Sequence, residues 1–232
     1  YLKFSENFKA ENTSHLIANF QIAKQDQIFR VEAYYKDYKS LVKFDTEMAN
    51  FNSTFNNDGT GYAKGIDMFW RQNGKIKNTD YWISYSYLDT ERDYRNYPVA
   101  STPNFASQHN LSIVAKHWIP NLKSQVGFSY NFASGRTYTN PNEAGFLNSQ
   151  AKNFNSLSLN WAYLIDQQKI LYLSASNVLG TQNVFGYNYK DTANMNGNFD
   201  RQAILPNVNS FFFVGFFWTI SDDKKSNQLD NL

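Results

Sequence analysis

The sequence predicts an all-β protein, an antiparallel up-and-down transmembrane β-barrel of which residues 1–221 form an incomplete portion of about nine strands, followed by a polar periplasmic tail at 222–232. Three observations predict it. The chain of 232 residues is 18% aromatic, with 16 Tyr and 20 Phe, yet its mean hydropathy is negative. Its aromatic side chains are therefore dispersed among polar ones, as suits a pleated surface. Within the segments, apolar and polar residues alternate with period two. Between the segments, the spacers alternate short and long, which an up-and-down membrane barrel requires if its tight turns lie on one rim and its long loops on the other.

The segments read in order as 13–23, 27–44, 61–72, 78–92, 106–118, 122–138, 153–164, 169–183 and 207–221. Tight spacers at 24–26, 73–77, 119–121 and 165–168 alternate with long ones at 45–60, 93–105, 139–152 and 184–206, which are rich in Asn, Gly, Ser and Thr. In the second segment Phe29, Val31, Ala33 and Tyr35 alternate with Arg30, Glu32 and Lys36. A face carrying those charges cannot be a dry core. It suits the wall of a wet lumen, the opposite face meeting lipid. The sixth segment repeats the pattern with Val126, Phe128, Tyr130 and Phe132 against Gln125, Gly127, Ser129 and Asn131, and the seventh with Leu157, Leu159, Trp161 and Tyr163 against Ser156, Ser158 and Asn160. The last, with Phe212, Val214, Phe216, Trp218 and Ile220 on one face, needs only a further strand beside it.

Trp70, Trp82, Trp118, Trp161 and Trp218 all fall near the tight-turn ends, where indole favours the membrane interface. They read as part of one girdle, with buried core tryptophans the alternative. Trp82 and Trp118 sit on the polar register, so either they face inward or a bulge displaces the register. Bacterial outer-membrane barrels have even strand numbers, so about nine strands imply that the barrel continues upstream of Tyr1.

Other classes are poorly supported. A net charge of +2 with no basic run gives no nucleic-acid surface. The absence of Cys excludes disulfides, thiolate metal sites and Cys nucleophiles. No stretch reaches the roughly 18 apolar residues of a membrane helix. His15, His109 and His117 lie far apart without metal-site spacing, and the chain carries no nucleophile elbow, phosphate loop or dinucleotide fingerprint. Neither enzymatic activity nor a cofactor is expected.

Several segments, in order, resemble the β-barrel of TonB-dependent outer-membrane receptors. Glu11-Asn-Thr-Ser-His15 is similar to that family's entry to a mid-barrel strand, and Glu32-Ala-Tyr-Tyr-Lys-Asp-Tyr38 with Leu41 to a long outgoing strand. Gly59-Thr-Gly-Tyr-Ala-Lys-Gly-Ile-Asp67 resembles the small-residue segment opening the next incoming strand, with Asp67 where Glu is commoner. Tyr85-Ser-Tyr-Leu-Asp-Thr-Glu91, Pro103 and His109-Asn-Leu111 look like a Tyr-x-Tyr strand and its return; Ser174-Ala-Ser-Asn-Val-Leu179 with Tyr187 and Tyr189 is similar to the penultimate-strand element. The residues after Ser221 depart from the family's closing aromatic. The resemblance implies the C-terminal part of a 22-stranded barrel in the Gram-negative outer membrane, in contact with lipid. It implies an N-terminal plug and the remaining strands outside this chain, and a TonB complex that acts through the plug. It also implies energised uptake of a scarce small-molecule or oligomeric nutrient: siderophore, haem, cobalamin, glycan or peptide. A non-energised outer-membrane channel or assembly protein on the same barrel, and a soluble β-domain binding carbohydrate, are the alternatives.

Ligand contact is expected on the external strand ends and loops, because loops on a rigid scaffold carry function and Tyr combines contact area with a polar handle. The candidates are Tyr94, Tyr97, Arg136, Tyr138, Phe146, Tyr187 and Tyr189. An aromatic girdle or ordinary loop packing is the alternative reading of the same residues. Asp89, Glu91 and Asp93 with Arg92 and Arg95 could bind a cation or form a charged loop.

Overall fold

The computed structural model describes residues 9–220; the tail expected at 222–232 lies outside the described residues. The chain runs through β1 (Asn12–Lys24), β2 (Gln27–Phe44), β3 (Phe55–Asn73), β4 (Thr79–Asp93), β5 (His109–Ile119) and β6 (Ser124–Ala133). A short pair, β7 (Thr137–Tyr138) and β8 (Ser149–Gln150), precedes β9 (Phe154–Asp166) and β10 (Lys169–Ser176). A hairpin of β11 (Gly186–Ala193) and β12 (Phe199–Ile204) separates β10 from β13 (Phe211–Trp218). One 9-stranded sheet takes the order β1-β2-β3-β4-β5-β6-β9-β10-β13, each strand antiparallel to its neighbour. β1 and β13 are its two edges, so among the described residues the sheet is open.

Register decides the two faces, because directly paired residues share a face and a slip of one residue would exchange them. Phe20 pairs with Val31, Val31 with Met68, Met68 with Tyr85, Tyr85 with Leu111 and Leu111 with Phe132. Farther along, Val126 pairs with Trp161, Trp161 with Leu173 and Leu173 with Val214. One apolar face thus crosses the entire sheet. It is also exposed: Leu16 by 73%, Phe212 by 74% and Val214 by 69%. The other face carries Asn19, Glu32, Asp67 and Ser86 in one row of partners. Asn19 Nδ2 donates to Glu32 Oε2 at 3.1 Å, and the Ser86 hydroxyl donates to the Asp67 carboxylate. Arg30, Asp67, Ser84, Asn110 and Asn131 help to line a cleft of about 430 Å³ on that polar side.

The tight turns lie together at one rim, where each is tied to a neighbouring strand or turn. Asn73 N donates to Asp26 O, Trp118 N to Asn78 O and Leu164 N to Lys123 O, each at 2.8 Å; Thr219 N donates to Gln168 O at 2.9 Å. Lys123 closes the 3-10 turn Pro120–Leu122 in the left-handed region at φ 47. At the opposite rim are the long connections.

The tryptophans divide between the faces. The β4–β5 and β5–β6 registers run without a bulge, with Trp82 opposite Arg71 and Val114, and Trp118 opposite Gln125. Both therefore face the polar side. Trp118 there packs with Tyr172 against Ala162, Leu164 and Ile170, an apolar floor near the tight-turn rim that the sequence reading assigned to wet wall. The outward aromatic girdle is built from Trp70, set edge-on to Tyr81 at 5.5 Å, from Trp161 stacked on Tyr163 at 5.9 Å, and from Trp218 under Lys169.

Some boundaries move from their expected places. β3 starts at Phe55 instead of 61, because Phe44 and Phe55 pair above a register shift at Ser40, whose φ is 56. β10 stops at Ser176 instead of 183, since Asn177 enters the left-handed region at φ 48. Asn can adopt that conformation more cheaply than a branched residue. The sixth segment ends at Ala133 instead of 138, and the loop expected at 184–206 contains the β11–β12 hairpin.

Candidate ligand-binding rim

The long-loop rim holds two aromatic clusters. The first forms where the connection after β4 folds back over the end of β2. Arg95 N donates to Val42 O at 2.7 Å and Phe44 N to Arg95 O at 3.0 Å, while Arg92 and Ser101 exchange backbone hydrogen bonds. These ties carry Tyr94 and Tyr97 onto Leu41; all three are buried, with Tyr38, Phe146 and Leu147 packed around them. Tyr97 stands edge-on to Tyr94 at 4.9 Å and to Phe146 at 4.7 Å. Such geometry is worth about 0.5–1.5 kcal/mol per pair beyond burial. Burial pushes the Tyr97 hydroxyl up to about 12, with the nearby Tyr94 adding to the shift.

Arg92 lies within this cluster, its guanidinium 4.4 Å from the Tyr38 ring centre, 5.6 Å from Tyr94 and 5.5 Å from Phe105. Its buried Nε has no hydrogen-bond partner, so aromatic faces and not carboxylates hold it there. Two of the acidic residues near it are matched elsewhere: Asp93 by Lys43, and Asp89 by Lys64 at 3.2 Å and the Tyr62 hydroxyl at 3.0 Å. The cluster is thus a loop core in which Asp89 and Asp93 are paired with lysines, while Glu91 stays exposed.

The second cluster lies on β7 and the β11–β12 hairpin. Tyr138 meets Tyr187 at 5.0 Å and Tyr189 at 6.4 Å, and the Arg201 guanidinium covers the Tyr187 ring at 4.6 Å. The Tyr189 Oη is buried without a hydrogen-bond partner; burial and the neighbouring Tyr138 raise its pKa. Asn142 clamps the hairpin to the preceding loop, its Nδ2 donating to Phe199 O at 2.9 Å while its Oδ1 accepts from Phe199 N at 2.7 Å. A second clamp, Asn183, exchanges hydrogen bonds with the backbone of Asn155 at 2.9 Å each way. Below these loops Thr90, Thr102, Gln108, Thr137 and Gln150 line a small polar chamber of about 120 Å³.

The seven sequence candidates therefore divide. Tyr94, Tyr97 and Phe146 come together as buried loop packing. Tyr138 on β7 comes together with Tyr187 and Tyr189 of the less buried hairpin. Arg136 is exposed and stands apart, its side chain in none of the ion pairs among the described residues. Sequence reasoning missed Arg201, Tyr38, Phe105 and the two Asn clamps. Arg201 had one available signal, a cation on the arm facing Tyr187 across the Asn196-Gly197 turn.

A two-faced, nine-stranded antiparallel sheet with tight turns on one rim and clamped loops on the other defines part of the wall of a large membrane β-barrel. Solved outer-membrane transporters share this fold. The chain superposes on the FrpB iron transporter from Neisseria meningitidis with a TM-score of 0.66 at 12% identity, covering 94% of this chain and 32% of that one. The outer membrane transporter YddB from Escherichia coli gives 0.63 at 10% identity over 94% of this chain and 34% of its own. The ferric-catecholate import receptor Fiu from E. coli K12 gives 0.61 at 11% identity over 89% and 27%. The chain thus spans about a third of the length of these structures. No protein-family model matches it, and no curated protein does.

Proposed function

We propose that this chain is part of the barrel wall of a TonB-dependent transporter in the Gram-negative outer membrane and that the whole protein imports a scarce nutrient. The observation that carries this reading is the strand register, which gives the sheet one exposed apolar face and one polar face, as a wall between lipid and a lumen requires. A soluble carbohydrate-binding β-domain would have to hold Leu16, Phe20, Phe212 and Val214 in water, against the hydrophobic effect. β1 and β13 pair with further strands of the barrel, since lipid leaves no tolerance for unpaired backbone. A plug outside this chain couples transport to the TonB complex.

Ligand capture falls to the long-loop rim. Tyr138 on β7 and Tyr187, Tyr189 and Arg201 on the β11–β12 hairpin supply aromatic faces and a cation, with Arg136 as a second cation. Tyr94, Tyr97 and Phe146 contribute by holding the rim in shape. The test is whether the natively expressed protein fractionates with the outer membrane and migrates faster on a denaturing gel before heating than after. Migration unchanged by heating, from a soluble fraction, would refute the barrel.

A further inference from the structure

The apolar face is not uniform. Near its last strands lies a groove of about 500 Å³, within the range of roughly 300–1,000 Å³ typical of small-molecule sites. Its wall nearer the tight turns is the row Val126, Trp161, Leu173 and Val214. The next row outward supplies Leu159, Ala175 and Phe212. Ala175, flanked by those two larger side chains, leaves the depression. Toward the tight-turn rim the same two strands end on Lys169 and Trp218, which pair directly. The Lys169 ammonium sits 5.6 Å from the indole centre and 2.8 Å from the Asp166 carboxylate.

From Ala175 to Lys169 the strand descends by about 20 Å at roughly 3.4 Å per residue. A strand tilted by about 45° needs roughly that length to cross half of a 30 Å hydrocarbon layer. The groove and its charged end thus span one leaflet, apolar toward the bilayer centre and ionic at the interface, and indole favours that interfacial level.

Resting on the outer-membrane reading above, we infer that this groove seats an acyl chain of a single phospholipid from the leaflet on the tight-turn side. The headgroup phosphate lies on Lys169 and an amine of the same headgroup on Asp166. The adjacent opposite charges match a headgroup that carries both signs, and Trp218 covers the junction of chain and headgroup. This is a site for a bound lipid and not a general greasy surface. At the same depth on β1, Ala18 pairs with Ala33, which pairs in turn with Ile66, and among the described residues no charged pair of the kind that Lys169 and Asp166 make closes that strand end.

The test reconstitutes the whole native protein in vesicles of phosphatidylethanolamine and phosphatidylglycerol, doped with phosphatidylethanolamine bearing a photoactivatable acyl chain, and maps the adducts. About tenfold enrichment at Leu159, Ala175 and Phe212 over Leu16, Phe20 and Val31 is expected. Ala175→Phe fills the groove and should reduce labelling there to the background of the other strands, whereas Ala18→Phe should change nothing. Lys169→Gln should lower it several-fold. Heat-modifiable migration verifies that each variant folds. Even labelling of the apolar face, or enrichment that survives Ala175→Phe, would overturn the site while leaving the barrel intact. No labelling anywhere on that face would overturn the membrane reading itself.

Discussion

Replacing Arg92 by Ala should loosen the loop after β4 without unfolding the sheet. The guanidinium makes three aromatic contacts, to Tyr38, Tyr94 and Phe105. At about 0.5–1 kcal/mol each for partly exposed cation–π pairs, they sum to about 1.5–3 kcal/mol. Part of this is offset, because the Arg92 Nε is buried without a hydrogen-bond partner and its removal relieves a desolvation penalty. A net loss of about 1–2 kcal/mol raises the open population of the loop by roughly 5- to 30-fold. Amide hydrogen exchange reads that population locally. The Arg95 and Tyr97 amides, bonded to Val42 O and Tyr94 O, should exchange faster by that factor. The Asn73 and Trp118 amides at the opposite rim should keep their rates. Arg92→Lys, which retains charge without the planar face, should fall between wild type and Ala. Unchanged rates at Arg95 and Tyr97 would refute the aromatic cage as the clasp, and acceleration at both rims would mean that Arg92 supports the entire sheet. Asp93→Asn, which removes the partner of Lys43, should cost less, since surface ion pairs contribute about 0–1 kcal/mol.

Three further outcomes follow from the same geometry. Tyr97 is un-ionised to higher pH in the folded loop than in an opened one, so its contribution is fully present below pH 10 and fades as pH rises toward about 12. Ultraviolet titration should show a late tyrosinate step accompanied by loop opening, and Tyr97→Phe should abolish it. Gly65 lies beneath the Tyr34 ring, and a Cβ there would stand 2.5 Å from Tyr34 Oη and run into the Tyr87 carbonyl oxygen. Gly65→Ala should therefore destabilise the barrel by about 1–3 kcal/mol in urea refolding, and wild-type stability would refute the close approach. Asn142→Ala removes both clamp bonds, about 1–3 kcal/mol in total. A spin label on Met195→Cys, straightforward in a chain with 0 Cys, should report a more mobile hairpin, while unchanged spectra would mean that the clamp does not hold it.

The strand order and faces were legible because they follow from local alternation. The segment read at 27–44 matches β2 at Gln27–Phe44, and 153–164 lies close to β9 at Phe154–Asp166. The apolar register of Leu171, Leu173 and Ala175 fails at Asn177, a local signal that the reading to 183 passed over; Asn177 turns there in the left-handed region, and its Nδ2 bonds to Thr181 O and Asn209 O hold it. The hairpin at 186–204 was legible in principle, since Tyr187 and Tyr189 alternate with Asn188 and Lys190 before an Asn-Gly turn. The rim clusters were not. Tyr38 with Arg92, and Tyr138 with Tyr187 and Arg201, meet across many tens of residues, and period-two patterning carries no information on which loops fold together. The inward Trp118 was ambiguous for a related reason: its partners Leu164 and Ile170 arrive from two and three strands away.

The two rims differ in what they tolerate. At one, each turn's backbone is bonded to a neighbouring strand or turn, so an inserted residue there would break hydrogen bonds beyond its own hairpin. At the other, the loops are joined by a few backbone bonds at Arg95 and by side chains such as Asn142, Asn183 and Arg92, above a register set by the strands below. The long-loop side can therefore take insertions, deletions and exchanges of loops that the tight-turn side cannot, while the wall beneath keeps its register.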